Sequence, residues 1–472
     1  MRKGPSRRTQ GASVEPVGND RGMSDLVWLR RDLRRSDLPT LAQAAEAGPV
    51  TVVFVIDPAL WDTSAAPRRR WLAANLLELR GAYEGRLTLR QGDPRVEIPK
   101  LAAEVGAGAV HISAETEPEG AVRDVEVEKA LGGVRLVRTG SPYAVTPGRV
   151  LKGDGSQYLV FTPFSKAWRE HGWRAPATEP GDLTFAEDRS DQGLWDLVAA
   201  TAAGDSPELP PPGERGALRR WEEFLDGGLA EYGAERDRPD LDSTSRMSPY
   251  LKLGVVHPRT LLADLEHREG VERYVTELAW REFYADVLHH RPKSLWSDLR
   301  PEMKDMEYDD EPEFVQAWRE GRTGVPLVDA GMRQLLATGW MHNRVRMVAA
   351  SFLVKHLHTR WQVGAQHFLD TLIDADLASN NHGWQWVAGT GTDAAPYYRV
   401  FNPVLQGEKF DPDARYIRRW IPELADLTAR QAHQPWNVPA GTRKTYPDPI
   451  VDLDVERKIA LARHQAVRSI GQ

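Results

Sequence analysis

A change of hydrophobic period before the chain's midpoint limits its fold more than any other feature. Between residue 25 and about residue 140, short β-branched runs alternate with amphipathic stretches. Asp25–Arg30, Val50–Ile56, Arg86–Arg90, Ala109–Ile112 and Val134–Val137 read as strands. Leu38–Ala47, Arg68–Tyr83, Pro94–Val105 and Glu119–Leu131 read as helices. Such alternation with short links predicts an α/β, doubly wound parallel sheet. From about residue 214 the period is helical only, clearest in Leu218–Tyr232, Pro258–Glu269, Val271–His289, Ala330–Thr338, Asn343–His358 and Gly364–Leu377. Residues 151–213 look irregular and include the linker-like "SPELPPPGE" at 206–214. Residues 1–22 lack apolar periodicity and read as a disordered tail, with Met23 a candidate start. The expected order is tail (1–22), α/β domain (23–150), linker (151–213) and all-α domain (214–472).

Composition removes several chemistries. With no cysteine, disulfides, thiolate nucleophiles and Cys-ligated zinc or iron–sulfur centres are excluded. No GxGxxG follows the first strand, which argues against a dinucleotide bound in the usual Rossmann manner. No run of 18 apolar residues exists, so no membrane span is expected; a cytoplasmic monomer is the default. Lys+Arg 61 against Asp+Glu 68 gives a net charge of −7, so any polyanion must be met by a local patch. Residues 302–313 carry seven acids and one lysine. Residues 333–361 hold Arg333, Arg344, Arg346, Lys355 and Arg360 with no acid, interleaved with Trp340, Asn343, Met347 and Trp361. Cations with flat and apolar neighbours suit phosphates and unstacked bases.

Four segments stand out. "STSRMSPYL" (Ser243–Leu251) puts hydroxyls before a predicted helix, suited to phosphate or to an ordinary cap with Ser248 ahead of Pro249. "ELAWREFY" places Glu277, Trp280, Arg281 and Tyr284 on one helix stripe, either to read a flat heterocycle or as an amphipathic face with an internal Glu277–Arg281 pair. "GWMHNRVRM" (Gly339–Met347) is the third. The fourth, Asp374–Pro403, is rich in small and amide residues, and its Asn380-Asn381 and Trp384/Trp386 pairs have no obvious packing logic.

Together with "VWLRRDLR", "SPYAVTPGRV", "FTPFSKAW", "YGAERDRP" and "QGEKFD", these segments resemble the photolyase/cryptochrome family from Asp25 to about Leu424, specifically its class I cyclobutane pyrimidine dimer photolyases. The resemblance implies an N-terminal α/β antenna-type domain, a long linker and an all-α domain that binds FAD and DNA. It implies that Tyr232, Thr244, Ser245, Arg246, Met247 and Ser248 hold the FAD phosphates and ribitol. Asp374, Ala375 and Asp376 would lie along the ring and ribityl chain, Asn380 would face flavin N5, and Arg346 would pair with Asp374. Glu277, Trp280, Asn343, Met347 and Trp386 match the lesion cavity; Arg236, Arg281, Arg344 and Gln406 match DNA-contacting positions. UV-damaged DNA is the implied partner, and light-driven electron transfer from reduced FAD the implied reaction. Trp384 and Trp361 match the first two members of a photoreduction relay. Tyr308 stands where its third tryptophan is expected, with Trp318 as a substitute donor. Glu119-Gly120 replaces the Asn-Glu pair of folate-binding members, which counts against folate; the antenna stays undecided between 8-hydroxy-deazaflavin and methenyl-tetrahydrofolate, with another flavin or an empty site also open. The alternatives are a cryptochrome-type sensor, a (6-4) photolyase lacking the expected paired histidines at "MHNRVRM", and a DNA-binding protein that keeps flavin only as structure.

Overall fold

The computed structural model describes residues 24–204, 209–392 and 398–470. The expected tail, Met23, residues 206–208 of the Pro-rich stretch and residues 393–397 of the fourth segment lie outside the described residues. Five parallel strands, β1 (Asp25–Leu29), β2 (Val50–Ile56), β3 (Leu87–Gln91), β4 (Ala109–Ile112) and β5 (Arg135–Arg138), form one sheet in the order β3-β2-β1-β4-β5. The chain winds outward from β1 to β3, then returns to β1's other edge for β4 and β5, which makes the sheet doubly wound. Every residue of β2 is buried, as expected of a central strand covered on both faces. Helices Ala66–Ala82, Pro94–Val105 and Pro118–Ala130 fill the crossovers. Each has proline in its first turn, and Asp93 caps the second by accepting from Arg95 N at 2.9 Å.

The linker differs from its expectation. It contains helices Phe161–His171 and Leu194–Ala203. Phe161, Phe164 and Trp168 recur at helical spacing and are buried, and Phe164 packs 5.2 Å from Phe283 of the Glu272–His290 helix. Between the two helices the chain returns to the sheet, where Val50 N donates to Thr184 O and Ala186 N to Val50 O. The helix predicted over 364–377 starts earlier and stops at Thr371, as Trp361–Thr371, and a separate helix, Leu377–Ala388, follows. Asp376 caps the second by accepting from Ser379 N at 2.9 Å, and Ile373 N bonds Gly339 O at 2.8 Å. The break creates the loop 372–376.

Apolar side chains join the two halves. One core runs from Val27, Val52 and Leu89 in the sheet through Phe164, Trp221 and Phe283 to Ile373. A second fills the C-terminal helices between Val315 and Tyr446. At the junction Leu33 N bonds Leu253 O at 3.1 Å. Gly254 there has φ +66°, and a Cβ on it would overlap the Arg31 carbonyl, so only glycine permits this backbone approach.

Candidate active site

The loop 372–376 is organised by one carboxylate. Asp374 is 6 % exposed. Its Oδ2 accepts from Ser248 Oγ at 2.6 Å and from the Arg346 guanidinium at 2.8 Å. Its Oδ1 is buried without a partner. Arg346 is fixed in turn by donating Nε–H to Met341 O at 2.7 Å. A buried acceptor left unsatisfied costs about 1–3 kcal/mol, so Oδ1 is poised for a donor on a bound molecule. Ser248 is free for this contact because it is the first residue of helix Ser248–Leu253, not its cap; Met247 holds the cap position without a side-chain bond.

The neighbouring groups are equally committed. Burial alone would raise the Asp376 pKa, but Arg31, Lys252 and Arg281 hold its carboxylate well below the usual range. Arg31 donates to Asp376 Oδ2 at 2.7 Å across the junction of the two halves. Ala375 between the two aspartates is buried. Asn380 gives its amide hydrogens to Ala365 O (3.1 Å) and Asn381 Oδ1 (2.8 Å), leaving its own oxygen as the atom it can present. Arg220 shapes the 243–248 loop by donating to the Thr244 carbonyl (2.7 Å) and the Ser245 carbonyl (3.2 Å). Ser245 Oγ accepts from Tyr274 Oη at 3.0 Å and from Met247 N at 3.3 Å. Arg246 has φ +54°, pairs with Asp242 at 2.9 Å and covers the Trp340 ring at 4.9 Å. Tyr232 packs against Phe224 and Tyr274.

A second set of residues centres on Glu277. Glu277 pairs with Arg236, which itself sits over the Tyr232 ring at 5.8 Å. The internal Glu277–Arg281 pair does not form. Arg281 instead donates to Pro142 O (3.1 Å) and Leu251 O (3.4 Å) and covers the Tyr143 ring at 4.4 Å. These contacts place the Arg281 side chain at the junction of the halves. Trp280 stacks on Phe161 with centroids 3.6 Å apart and planes 5° apart. Asn343 is exposed at the start of helix Asn343–Lys355, after His342, whose ring accepts from Arg344 N at 3.2 Å. Arg344 pairs with Asp237 at 2.9 Å and covers Phe410 at 4.5 Å. Met347 and Trp386 are half-buried against the second core. Arg236 Nε, His342 Nε2, Arg344 Nε and Gln406 Oε1 are buried polar atoms with no hydrogen-bond partner. Together with Asp374 Oδ1 they give this region a set of unused donors and acceptors.

The basic block does not form one face. Arg333 pairs with Glu423 at 2.8 Å, and Arg360 with Asp310 of the acidic block at 3.1 Å. Lys355 is buried against Arg399 O (2.6 Å), and burial pushes its pKa down to about 7. Arg344 and Arg346 share the Asn343–Lys355 helix with Asn343, and Arg346 is committed to Asp374. Trp384 and Trp361 are buried, while Tyr308 packs with Met303, Met306 and Val467. In the N-terminal half Glu115 folds back over Gly120, where a Cβ would overlap Glu115 Cγ, and its Oε1 accepts from Thr116 N at 2.8 Å. Glycine at 120 is thus a packing requirement.

Sequence reasoning assigned no role to Arg31, Phe161 or Arg220. The first two stood inside quoted motifs, but their partners lie 345 residues away for Arg31 and across the linker for Phe161.

Residues 25–181 match the family model of DNA photolyase and residues 274–466 that of the FAD binding domain of DNA photolyase. The deoxyribodipyrimidine photo-lyase of Escherichia coli K12 is 38 % identical, over 94 % of this chain and 98 % of the relative. Among solved structures, a bacterial class III photolyase from Agrobacterium tumefaciens superposes with TM-score 0.86 at 36 % identity, covering 95 % of this chain and 98 % of that one. A Synechocystis sp. PCC6803 cryptochrome gives TM-score 0.84 at 26 % identity (94 % and 98 % covered). An archaeal photolyase from Sulfolobus tokodaii with two FAD molecules gives 0.82 at 28 % (94 % and 100 % covered).

Proposed function

The chain belongs to the DNA photolyase family, and from that premise we propose that it uses light to repair cyclobutane pyrimidine dimers in DNA, with FAD in the helical half. The observation that carries this reading is Asp374. One oxygen is locked by Ser248 and Arg346 and the other is buried and unused, which fits a ring N–H donor. When bound and reduced, FAD supplies a photoexcitable one-electron donor.

The rest of the work falls to this chain's residues. Tyr232 and the 244–248 loop, Arg246 included, would hold phosphates and ribitol, with Arg220 fixing the loop's carbonyls. Asp374, Ala375 and Asp376 would line the ring and ribityl chain, and the free Asn380 oxygen would accept from N5–H. Glu277 and Asn343 would hydrogen-bond the pyrimidine edges of the lesion. Trp280, immobilised by Phe161 on one face, would wall the cavity with Met347 and Trp386. Arg236, Arg344 and Gln406 would meet the DNA strand. Photolyases are among the enzymes that flip their target out of the helix, and a damaged, poorly stacked pair costs less to extrude. No protein nucleophile takes part. For the antenna we keep both 8-hydroxy-deazaflavin and methenyl-tetrahydrofolate. The Sulfolobus tokodaii relative, with its second FAD, adds a third kind of chromophore.

A second reading, a blue-light sensor without repair, is favoured only by the similarity to the Synechocystis cryptochrome. Among the described residues no helix is long and apolar enough to cross a membrane. The deciding experiment illuminates flavin-loaded protein with oligonucleotides carrying a single cyclobutane dimer or a (6-4) product. Conversion of the first alone to undamaged thymines is the expected outcome. Binding of the lesion without conversion would favour a DNA-binding protein that keeps flavin only as structure, and neither binding nor conversion the sensor reading.

A further inference from the structure

Two aromatics compete to connect Trp361 to solvent. Tyr308 is the positional equivalent expected from the sequence. Trp296, two residues before Asp298, lies outside the motifs that carry the resemblance. We propose that Trp296, not Tyr308, is the solvent-side end of the aromatic path through Trp384 and Trp361; this rests on the reading that FAD lies beside the Trp384 helix.

The geometry favours Trp296 in three ways. Its ring lies parallel to that of Trp361, with planes 6° apart and centroids 6.4 Å apart, and it is 37 % exposed whereas Trp361 is 1 % exposed. Trp361 donates its indole N–H to Asp298 Oδ1 at 2.7 Å, which places a carboxylate where positive charge on that ring would develop. The turn that carries Trp296, Pro292–Leu295, is bound to the helix that carries Trp384: Asn381 donates to Leu295 O, Gln385 Nε2 to Ser294 O at 2.6 Å, and His382 meets Ser294 Oγ at 2.9 Å. Gln362 Nε2 adds a bond to Trp296 O at 3.2 Å. One helix therefore positions both ends of the path. In the middle, Gly364, one turn beyond Trp361, lets the Trp384 ring edge reach the Trp361–Thr371 helix.

The competitors are placed less well. Among the described residues Tyr308 makes no ring contact with Trp361 or Trp296. The Arg360 guanidinium lies over its ring at 5.0 Å, and burial, with Asp298 nearby, raises its phenol pKa, so its oxidation needs a proton acceptor. Trp318 meets Trp384 edge-on at 6.1 Å but is fully buried, with its N–H given to Ala349 O at 3.1 Å.

A bound oxidised flavin would supply the photo-oxidant; an electron given up by Trp384 would then be replaced from Trp361, and that of Trp361 from Trp296. The Trp296 radical cation releases its indole proton to water. An external thiol then supplies a hydrogen atom and leaves as a thiyl radical, restoring the indole.

The test compares W296F and Y308F in full-length, flavin-loaded protein. W296F should reduce the yield of long-lived tryptophan radical after a flash, and the thiol-dependent photoreduction rate, by on the order of tenfold, while Y308F stays within about twofold of the parent. Loss in Y308F with W296F unchanged would overturn the proposal. A second measurement needs no flavin: under an external ruthenium photo-oxidant, oxygen adducts mapped by mass spectrometry should fall on Trp296, and adducts on Tyr308 in its place would also overturn it. If the chain bound no flavin, the functional reading would fail while this oxidation map still tested Trp296.

Discussion

Asp374 shows how much one side chain can hold. Its charge neutralises Arg346, its Oδ2 fixes Ser248, and its Oδ1 remains for a ligand. D374N keeps the shape but leaves Arg346 without its counter-charge. Because Arg346 is partly exposed, a loss of about 2–3 kcal/mol is expected, below the range for a fully buried pair. Purified D374N should carry little flavin and melt at lower temperature, both read in one absorbance-monitored melt. Lys355 is a second single-residue case. Its pKa is pushed from 10.5 down to about 7 by burial. Between those values the unfolded chain holds a proton that the folded chain lacks, so this lysine makes stability rise with pH across that window. K355M should remove that slope: its stability relative to the parent is greatest at and below pH 7 and declines toward pH 10.5, measured by denaturant unfolding at several pH values. The resemblance named Asp374 and Arg346 as a pair, but Ser248 as a partner was hidden, because a hydroxyl carries no sign of a carboxylate 126 residues away.

Helices set the distances between these groups. The Leu377–Ala388 helix carries Asn380, Trp384 and Trp386, begins at Asp376 and packs on Trp361–Thr371 through Gly364. A methyl group at 364 would overlap Trp384 Cη2 and crowd Leu353, so G364A should cost about 1–3 kcal/mol through overpacking. The check is a lower melting temperature together with a shifted tryptophan emission spectrum; an unchanged melt would mean that the two helices separate freely. Most elements of both halves were legible from period alone, because a strand of β-branched residues such as Val50–Ile56 or an amphipathic stretch such as Pro94–Val105 advertises its buried face. The Phe161–His171 helix was missed although Phe161, Phe164 and Trp168 carry the right spacing, because irregular glycine-bearing and proline-bearing sequence surrounds it. The end of the Trp361–Thr371 helix was missed because Leu372 and Ile373 continue the apolar pattern, while the stop comes from an Asp376 cap and a bond to Gly339.

At the scale of the molecule, the two halves share one core, and the 372–376 loop sits where they meet. The sheet shares its core with the helical half, and Arg31 reaches from the end of β1 to Asp376 at the pocket's edge. Composition and period indicated two architectures but could not show this union, since contacts such as Arg31–Asp376 exist only after folding. R31A would leave Asp376 buried beside fewer cations, and a loss of about 3–5 kcal/mol follows for a buried partner removed. Its signature is a melt that separates into two transitions; a single transition at the parental temperature would contradict the coupling. The central claim is that this pocket seats reduced FAD within electron-transfer reach of a flipped-out dimer gripped by Glu277 and Asn343. The most direct test is the excited-state lifetime of the reduced flavin, measured with and without DNA carrying one cyclobutane dimer. A lifetime shortened by the dimer, and restored toward its free value in the E277A/N343A double variant, is the expected result; a lifetime indifferent to bound dimer would contradict it.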